Sequence, residues 1–119
     1  MNPIAQWLIA AIALLHVYFL VLEMFFWDKP LGMRIFGLNP ESAAASKVLA
    51  ANQGLYNGFL SAGLIWGLIS PAMGPALCFF FLTCVLVAGL YGGATANRRI
   101  WFIQALPAAA ALLLLGLDA

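Results

Sequence analysis

Charge is scarce in this 119-residue chain, and its scarcity sets the first limits on function. Only 8% of the residues are charged, 66% are hydrophobic, and the formal net charge is +1. An ordinary soluble domain carries about a quarter charged residues. Without a basic surplus, nothing in the composition favours nucleic-acid binding. So much apolar surface predicts instead a membrane protein, with the lipid bilayer as its main partner.

Cysteine, metal-ligand clusters and nucleophile motifs are also lacking. Cys78 and Cys84 are the only cysteines, and their spacing within one apolar stretch places them on different helix faces. We interpret them as reduced thiols that serve as small apolar residues. A single histidine and one acid inside the apolar stretches are too few ligands for a dedicated zinc site. We therefore expect no metal or other cofactor, and any catalysis would be acid–base chemistry.

Four apolar stretches account for nearly the whole chain and predict an all-α membrane protein. The first has no basic segment before it and no small-residue cleavage site after it, which argues against a removable signal peptide. The second helix is expected to start outside the membrane, because Asn39-Pro40-Glu41 supplies an N-cap, a proline at the first helical position and an acid. We predict one four-transmembrane-helix domain over residues 1–119, with helices at about 3–27, 40–69, 75–96 and 100–117.

The basic residues predict the orientation of these helices. The second helix is expected to enter the membrane only around residue 47. Every basic residue falls either between the first helix and this entry point or between the third and fourth helices: Lys29, Arg34, Lys47, Arg98 and Arg99. Basic loops face the cytoplasm in most membrane proteins. We therefore expect both of these loops in the cytoplasm, both termini in the periplasm, and a multi-pass protein of a bacterial inner membrane.

Polar side chains inside the apolar stretches are the candidate functional residues, because lipid offers them no hydrogen-bond partners. His16 and Glu23 are almost two helical turns apart, which places them on one face of the first helix, about 10 Å apart along its axis. The second helix carries its polar residues on one arc of roughly 140°, with Gly54 and Gly58 on the opposite side. The full set is His16, Glu23, Asn52, Gln53, Tyr56, Asn57, Tyr91 and Gln104.

All four helices contribute to this set at a similar depth, which predicts a polar pocket in the cytoplasmic half of the membrane. His16 and Glu23 are the catalytic candidates, as proton donor and acceptor. Asn52, Gln53, Tyr56, Asn57, Tyr91 and Gln104 would bind and orient a small lipophilic ligand. Pro107 is expected to kink the fourth helix and to free the carbonyl of Ile103 near this pocket.

One segment resembles a known family. The stretch Asn52-Gln53-Gly54-Leu55-Tyr56-Asn57-Gly58-Phe59 is accompanied by His16 and Glu23 before it and by Gln104-Ala105-Leu106-Pro107 after it. With these motifs the chain resembles a family of small bacterial and fungal four-helix membrane proteins catalogued as domain of unknown function number thirteen hundred and four. The resemblance covers nearly the full length. It implies a four-helix inner-membrane protein and brings no established reaction.

Two other functions stay open at this point. The chain could be a proton-coupled exporter that acts as a dimer, since small multidrug transporters are similar in length and helix number and depend on a glutamate in the first helix. It could also be a structural or assembly subunit whose amides only join helices. Small residues at four-residue spacing, such as Gly54 and Gly58 or Gly89 and Gly93, could pack helices within one chain or between copies.

Overall fold

The computed structural model describes residues 1–118; Ala119, the last residue of the predicted domain, lies outside it. Over this range the helix is the only regular secondary structure and there is no strand, which confirms the predicted all-α class. The elements are α1 Pro3–Phe25, α2 Pro30–Phe36, α3 Pro40–Ile69, α4 Gly74–Thr95, a π-helical segment Trp101–Ala105, and α5 Leu106–Leu117.

Two of these helices, α1 and α4, are long and apolar enough to cross a membrane, judged by length and composition. Residues Trp101–Leu117 form a third apolar stretch that is shorter. Helix α3 is the longest, with 30 residues. It is less apolar than α1 and α4, in part because it contains three amide side chains: Asn52, Gln53 and Asn57.

Helix α2 was not predicted; the sequence indicated an apolar loop between the first two predicted helices. Pro30 lies in its first turn, where a missing backbone N–H costs nothing. Gly37 ends it with a left-handed φ of 68°, a conformation that glycine adopts without steric cost. The Phe36 ring packs against Trp27, with ring centroids 4.8 Å apart. Gly32 lies directly against the Phe26 carbonyl, so no larger residue fits there.

The start of α3 is fixed by two reciprocal hydrogen bonds. The backbone N–H of Ser42 donates to Asn39 Oδ1 over 2.8 Å, and the N–H of Asn39 donates to Ser42 Oγ over 3.1 Å. This is the geometry of a capping box, in which side chains satisfy the amide groups that a helix start leaves open. Pro40 then occupies the first helical position.

Residues 1–118 divide between two compact units. The middle unit is Leu15–Phe59, and the terminal unit is Met1–Leu14 together with the chain from Leu60 onward. Helices α1 and α3 each contribute residues to both. The terminal unit has a buried apolar core made of Ile9, Ile12, Ala13, Leu64, Cys78, Leu82, Val85, Ala108, Ala111 and Leu115.

Within the terminal unit, α4 packs closely against the segment that follows it. Gly89 faces Ala105, where a Cβ would lie 2.9 Å from the Ala105 backbone nitrogen. Gly93 lies against the Trp101 ring with no room for a side chain. The π-helical segment between these contacts ends just before Pro107, which has no N–H to bond with the Ile103 carbonyl.

Candidate functional site

The middle unit holds a buried contact between an acid and an amide from two different helices. Glu23 lies near the end of α1 with only 4% of its surface exposed. Asn57, in α3, donates a hydrogen bond from Nδ2 to Glu23 Oε1 over 2.6 Å. A hydrogen bond to a carboxyl oxygen is among the stronger polar contacts in proteins. The structure thus brings together two of the predicted site residues.

Glycines in α3 allow this contact by letting the two helices approach. A Cβ at Gly54 would lie 2.7 Å from Met24 Cγ, 3.1 Å from Glu23 Cβ and 3.2 Å from the Leu20 carbonyl oxygen. A Cβ at Gly58 would lie 2.7 Å from Leu20 Cδ1. Small residues four positions apart are the usual means of bringing membrane helices together. These two glycines pack within the chain, on the side of α3 that faces α1.

His16 is the second buried polar group of the middle unit. Its side chain is completely buried, and its ring meets Phe19 edge to face, with centroids 5.5 Å apart. His16 and Glu23 lie on one face of α1, separated by seven residues or about 10 Å along the axis. This distance is too long for a direct bond between the two side chains.

Three further predicted residues lie on a different face of α3. Asn52, Gln53 and Tyr56 are all exposed. The Asn52 amide donates to the Val48 carbonyl of its own helix over 2.9 Å. The Tyr56 ring contacts Phe59, also in α3, with centroids 5.9 Å apart. Of the four polar residues predicted on this helix, only Asn57 reaches Glu23.

Tyr91 and Gln104 belong to the terminal unit. Tyr91, on α4, has 72% of its surface exposed. Gln104 lies in the π-helical segment, is half-buried, and donates from Nε2 to the Val85 carbonyl over 3.1 Å. Gln104 therefore joins the π-helical segment to α4.

An ion pair lies in the middle unit, just beyond the end of α1. Lys47 Nζ lies 2.9 Å from Asp28 Oδ2, and the hydrogen bond from Lys47 holds the pKa of Asp28 below its usual value. Nearby, Trp27 Nε1 donates to Ser46 Oγ over 3.0 Å. These contacts tie the end of α1 to the first half of α3.

Ser61 is a buried polar residue that the sequence reading missed. It is 3% exposed, lies one turn beyond Asn57 in α3, and donates from Oγ to the Ala13 carbonyl over 2.7 Å. The signal was the four-residue spacing from Asn57, which places both side chains on one helix face. A short hydroxyl that bonds a backbone carbonyl of a neighbouring helix is common between apolar helices.

The side chains of this site can supply hydrogen bonding and proton transfer. Its members are a carboxyl, an imidazole and an amide, which together can donate and accept protons. Among the side chains of residues 1–118, no three histidine, cysteine, aspartate or glutamate residues are grouped so that they could hold a metal ion.

Comparison with known proteins assigns the chain to a family. The family model described as "Protein of unknown function (DUF1304)" matches residues 10–116. The chain is also 31% identical over 95 residues to "Uncharacterized protein YpaA" of Lactococcus lactis subsp. lactis (strain IL1403), which covers 78% of this chain and 80% of that protein. No solved structure matches it significantly. The chain therefore belongs to the DUF1304 family of proteins of unknown function.

Proposed function

We propose that this protein crosses a bacterial inner membrane four times and binds a small lipophilic molecule beside Glu23 in the cytoplasmic half of the bilayer. In this arrangement both termini face the periplasm, and the two basic loops face the cytoplasm. The spans would be α1, the later part of α3, α4, and the π-helical segment with α5. The apolar composition and the placement of all basic residues outside these spans support this position.

The observation that carries the proposal is the buried contact between Glu23 and Asn57, with His16 buried on the same face of α1. Polar side chains are costly inside a bilayer and often mark ligand or ion pathways. Helix packing alone needs no carboxyl and no imidazole, because the small residues at Gly54 and Gly58 already bring the helices together. A ligand with polar groups at two ends would use both side chains.

Acid–base chemistry on the bound molecule is the catalytic form of this proposal. One end of the ligand would exchange a proton with Glu23 and the other end with His16, since about 10 Å separates the two. The Asn57 amide would hold the Glu23 carboxyl in place. Its exposed neighbours Asn52, Gln53 and Tyr56 are candidates for guiding the ligand along α3.

A proton-coupled exporter is the second candidate, and Glu23 is the observation that favours it. Glu23 is the only acid within α1 and α4, the two helices that could cross a membrane by length and composition. A single buried carboxyl can couple proton movement to substrate release. Exporters of this size work as dimers, so this candidate requires a second copy.

Native mass spectrometry of the protein, released gently from its own membrane, tests these functions. The comparison is between the wild type, His16→Ala, Glu23→Gln and the control Val17→Ala, which changes an exposed neighbour of His16. We expect a discrete bound molecule in the wild type and the control, and its loss in both site variants. A molecule that stays bound in both site variants overturns the proposal.

The oligomeric state in the same spectra separates the alternatives. A dimer without a bound molecule would favour the exporter. A monomer without a bound molecule would favour a structural subunit, in which Glu23 and Asn57 only join α1 to α3. A resistance assay with lipophilic cations, comparing wild type and Glu23→Gln, then decides whether transport occurs.

A further inference from the structure

An apolar cavity lies in the terminal unit, between α4 and the segment after it. It is a groove of about 240 Å³. The residues around it are apolar and include Leu86, Leu90, Trp101, Phe102, Leu106 and Ala109. The one polar group among these side chains, the Trp101 indole N–H, already donates to the Leu90 carbonyl over 3.0 Å. The groove therefore offers van der Waals contact and no hydrogen-bond partner, which suits a hydrocarbon chain.

The π-helical segment shapes this groove. Trp101 and Phe102 belong to the segment, and Leu106 follows it directly. A π-helical turn holds an extra residue and so widens the helix, and such turns occur often at functional sites. Beside the groove, Gly89 lies against the Ala105 backbone and Gly93 against the Trp101 ring. From Trp101 to Ala109 the groove extends for roughly 12 Å along the helix axis.

Two basic residues precede the first groove-lining residue of the π-helical segment in the sequence. Arg98 and Arg99 come three and two positions before Trp101, and both are exposed. In the sequence of the terminal unit the only acidic side chain is Asp118. Its Oδ2 accepts a hydrogen bond from the backbone N–H of Asn2 over 2.6 Å. Two exposed arginines next in sequence to an apolar groove complement a molecule with an anionic head and a hydrocarbon tail.

We propose that this groove binds one anionic phospholipid, with an acyl chain against Leu90, Phe102 and Leu106 and its phosphate at Arg98 and Arg99. Arginine pairs well with phosphate because its guanidinium group donates two parallel hydrogen bonds. The cytoplasmic leaflet carries anionic lipids that attract basic segments close to the membrane. The inference relies on the proposed membrane position and orientation of the chain. It does not rely on any chemistry at Glu23.

Lipid titration followed by native mass spectrometry tests the charged end of the site. Purified, delipidated protein is titrated with phosphatidylglycerol or with phosphatidylcholine that carries the same acyl chains. We expect tighter binding of phosphatidylglycerol, and about a fivefold loss of its affinity for each of Arg98→Gln and Arg99→Gln. Lys29→Gln and Arg34→Gln, in the other basic loop, serve as controls and should leave the affinity unchanged. Equal binding of the two lipids, or no effect of the arginines, overturns the proposal.

Filling the groove tests its apolar end. Ala109→Phe places a ring in the groove, whereas Ala110→Phe places the same ring on an exposed neighbouring position of α5. We expect Ala109→Phe to reduce phosphatidylglycerol binding at least tenfold, and Ala110→Phe to leave it unchanged. Glycerol phosphate, the head group alone, should bind far more weakly than the lipid. If it binds equally well, the acyl chain contributes nothing and the site is only an anion site, which overturns the proposal.

Glu23→Gln separates this inference from the proposed function. We expect this variant to bind phosphatidylglycerol as the wild type does, because Glu23 belongs to the middle unit and the groove to the terminal unit. If Glu23→Gln loses the molecule bound at Glu23 but still binds phosphatidylglycerol, the groove binds lipid independently of the site at Glu23. Loss of lipid binding in Glu23→Gln at unchanged thermal stability would contradict the independence of the two sites.

Discussion

Asn57 and Glu23 are 34 positions apart in the chain, yet Asn57 Nδ2 lies 2.6 Å from Glu23 Oε1. The contact joins α1 to α3 next to the glycine at which these helices approach. The same two side chains connect the helices and form the candidate site. Substitutions at either residue are therefore expected to affect stability as well as any function of the site.

A double-mutant cycle on Glu23→Ala and Asn57→Ala measures how strongly the two residues interact. We expect a coupling free energy of about 0.6–1.7 kcal/mol, the range found for hydrogen bonds between membrane helices. The measurement is the free energy of unfolding in detergent or bicelles for the wild type, both single variants and the double variant.

Asn52 provides the control for this cycle. Its amide bonds to Val48 in its own helix and not to Glu23. The cycle of Glu23→Ala with Asn52→Ala should therefore give a coupling free energy near zero. A coupling for Asn52 as large as that for Asn57 would contradict the arrangement of α3.

Gly54→Ala should destabilise the middle unit by about 1–3 kcal/mol, because the new methyl group would press on the Leu20 carbonyl and on Glu23 and Met24. Thermal unfolding compares it with Gly116→Ala, where nothing lies within 4 Å of the new Cβ. The control should be neutral or slightly stabilising, since alanine favours helix over glycine by about 1 kcal/mol. Equal losses of stability in Gly54→Ala and Gly116→Ala would show that close helix approach at Gly54 is unimportant for stability.

Reporter fusions test the proposed membrane topology. A fusion of alkaline phosphatase, which needs the oxidising periplasm for its disulfides, should be active after the hairpin at residues 70–75 and at the C-terminus. A fluorescent protein that folds in the cytoplasm should report at the loop of residues 96–99. The reason is that all basic residues lie outside the proposed spans, either between α1 and the later part of α3 or between α4 and the π-helical segment, and basic segments next to membrane spans usually face the cytoplasm. A C-terminal fusion that reports a cytoplasmic C-terminus would contradict the proposed orientation.

The stability of the protein should fall in acid because of Asp28. The hydrogen bond from Lys47 lowers the pKa of Asp28 in the folded state, so the folded protein favours the charged form more than the unfolded chain does. This stabilisation is present above the unfolded pKa of about 3.9. It is lost as the pH falls through the lowered pKa of the folded state.

Melting temperatures between pH 6 and pH 3 measure this effect, which should be small because the pair is solvent-exposed. Asp28→Asn and Lys47→Gln should each show a shallower decline on the acid side than the wild type. A wild-type curve that coincides with both variants would mean that the Asp28–Lys47 contact does not stabilise the fold.

Helix boundaries could be read from the sequence because their signals are local. Asn39 and Pro40 mark the start of α3, and the capping contact with Ser42 is formed as that pattern implies. The short helix α2 had comparable signals, Pro30 at its start and Gly37 at its end, but the apolar residues between them favoured a loop interpretation. The π-helical segment had no readable signal beyond Pro107, because it depends on contacts with α4.

The packed face of α3 was harder to predict. The sequence places Asn52, Gln53, Tyr56 and Asn57 on one arc, and in the structure only Asn57 turns toward α1. For a chain expected to lie in lipid, an apolar face is stable whether it meets lipid or another helix, so hydrophobicity does not tell which face is packed. The positions of Gly54 and Gly58 determine which face of α3 packs against α1. Asn57 lies three residues after Gly54, at the edge of that face.

The separation of Glu23 from Asn57 also matters while the protein is being made. At a synthesis rate of 5–20 residues per second, α1 is complete about 2–7 seconds before Asn57 is added. During that interval α1 has been synthesised, but Glu23 does not yet have Asn57 of α3 as its hydrogen-bond partner. The Glu23 end of α1 thus gains its hydrogen-bond partner only when the nascent chain supplies α3.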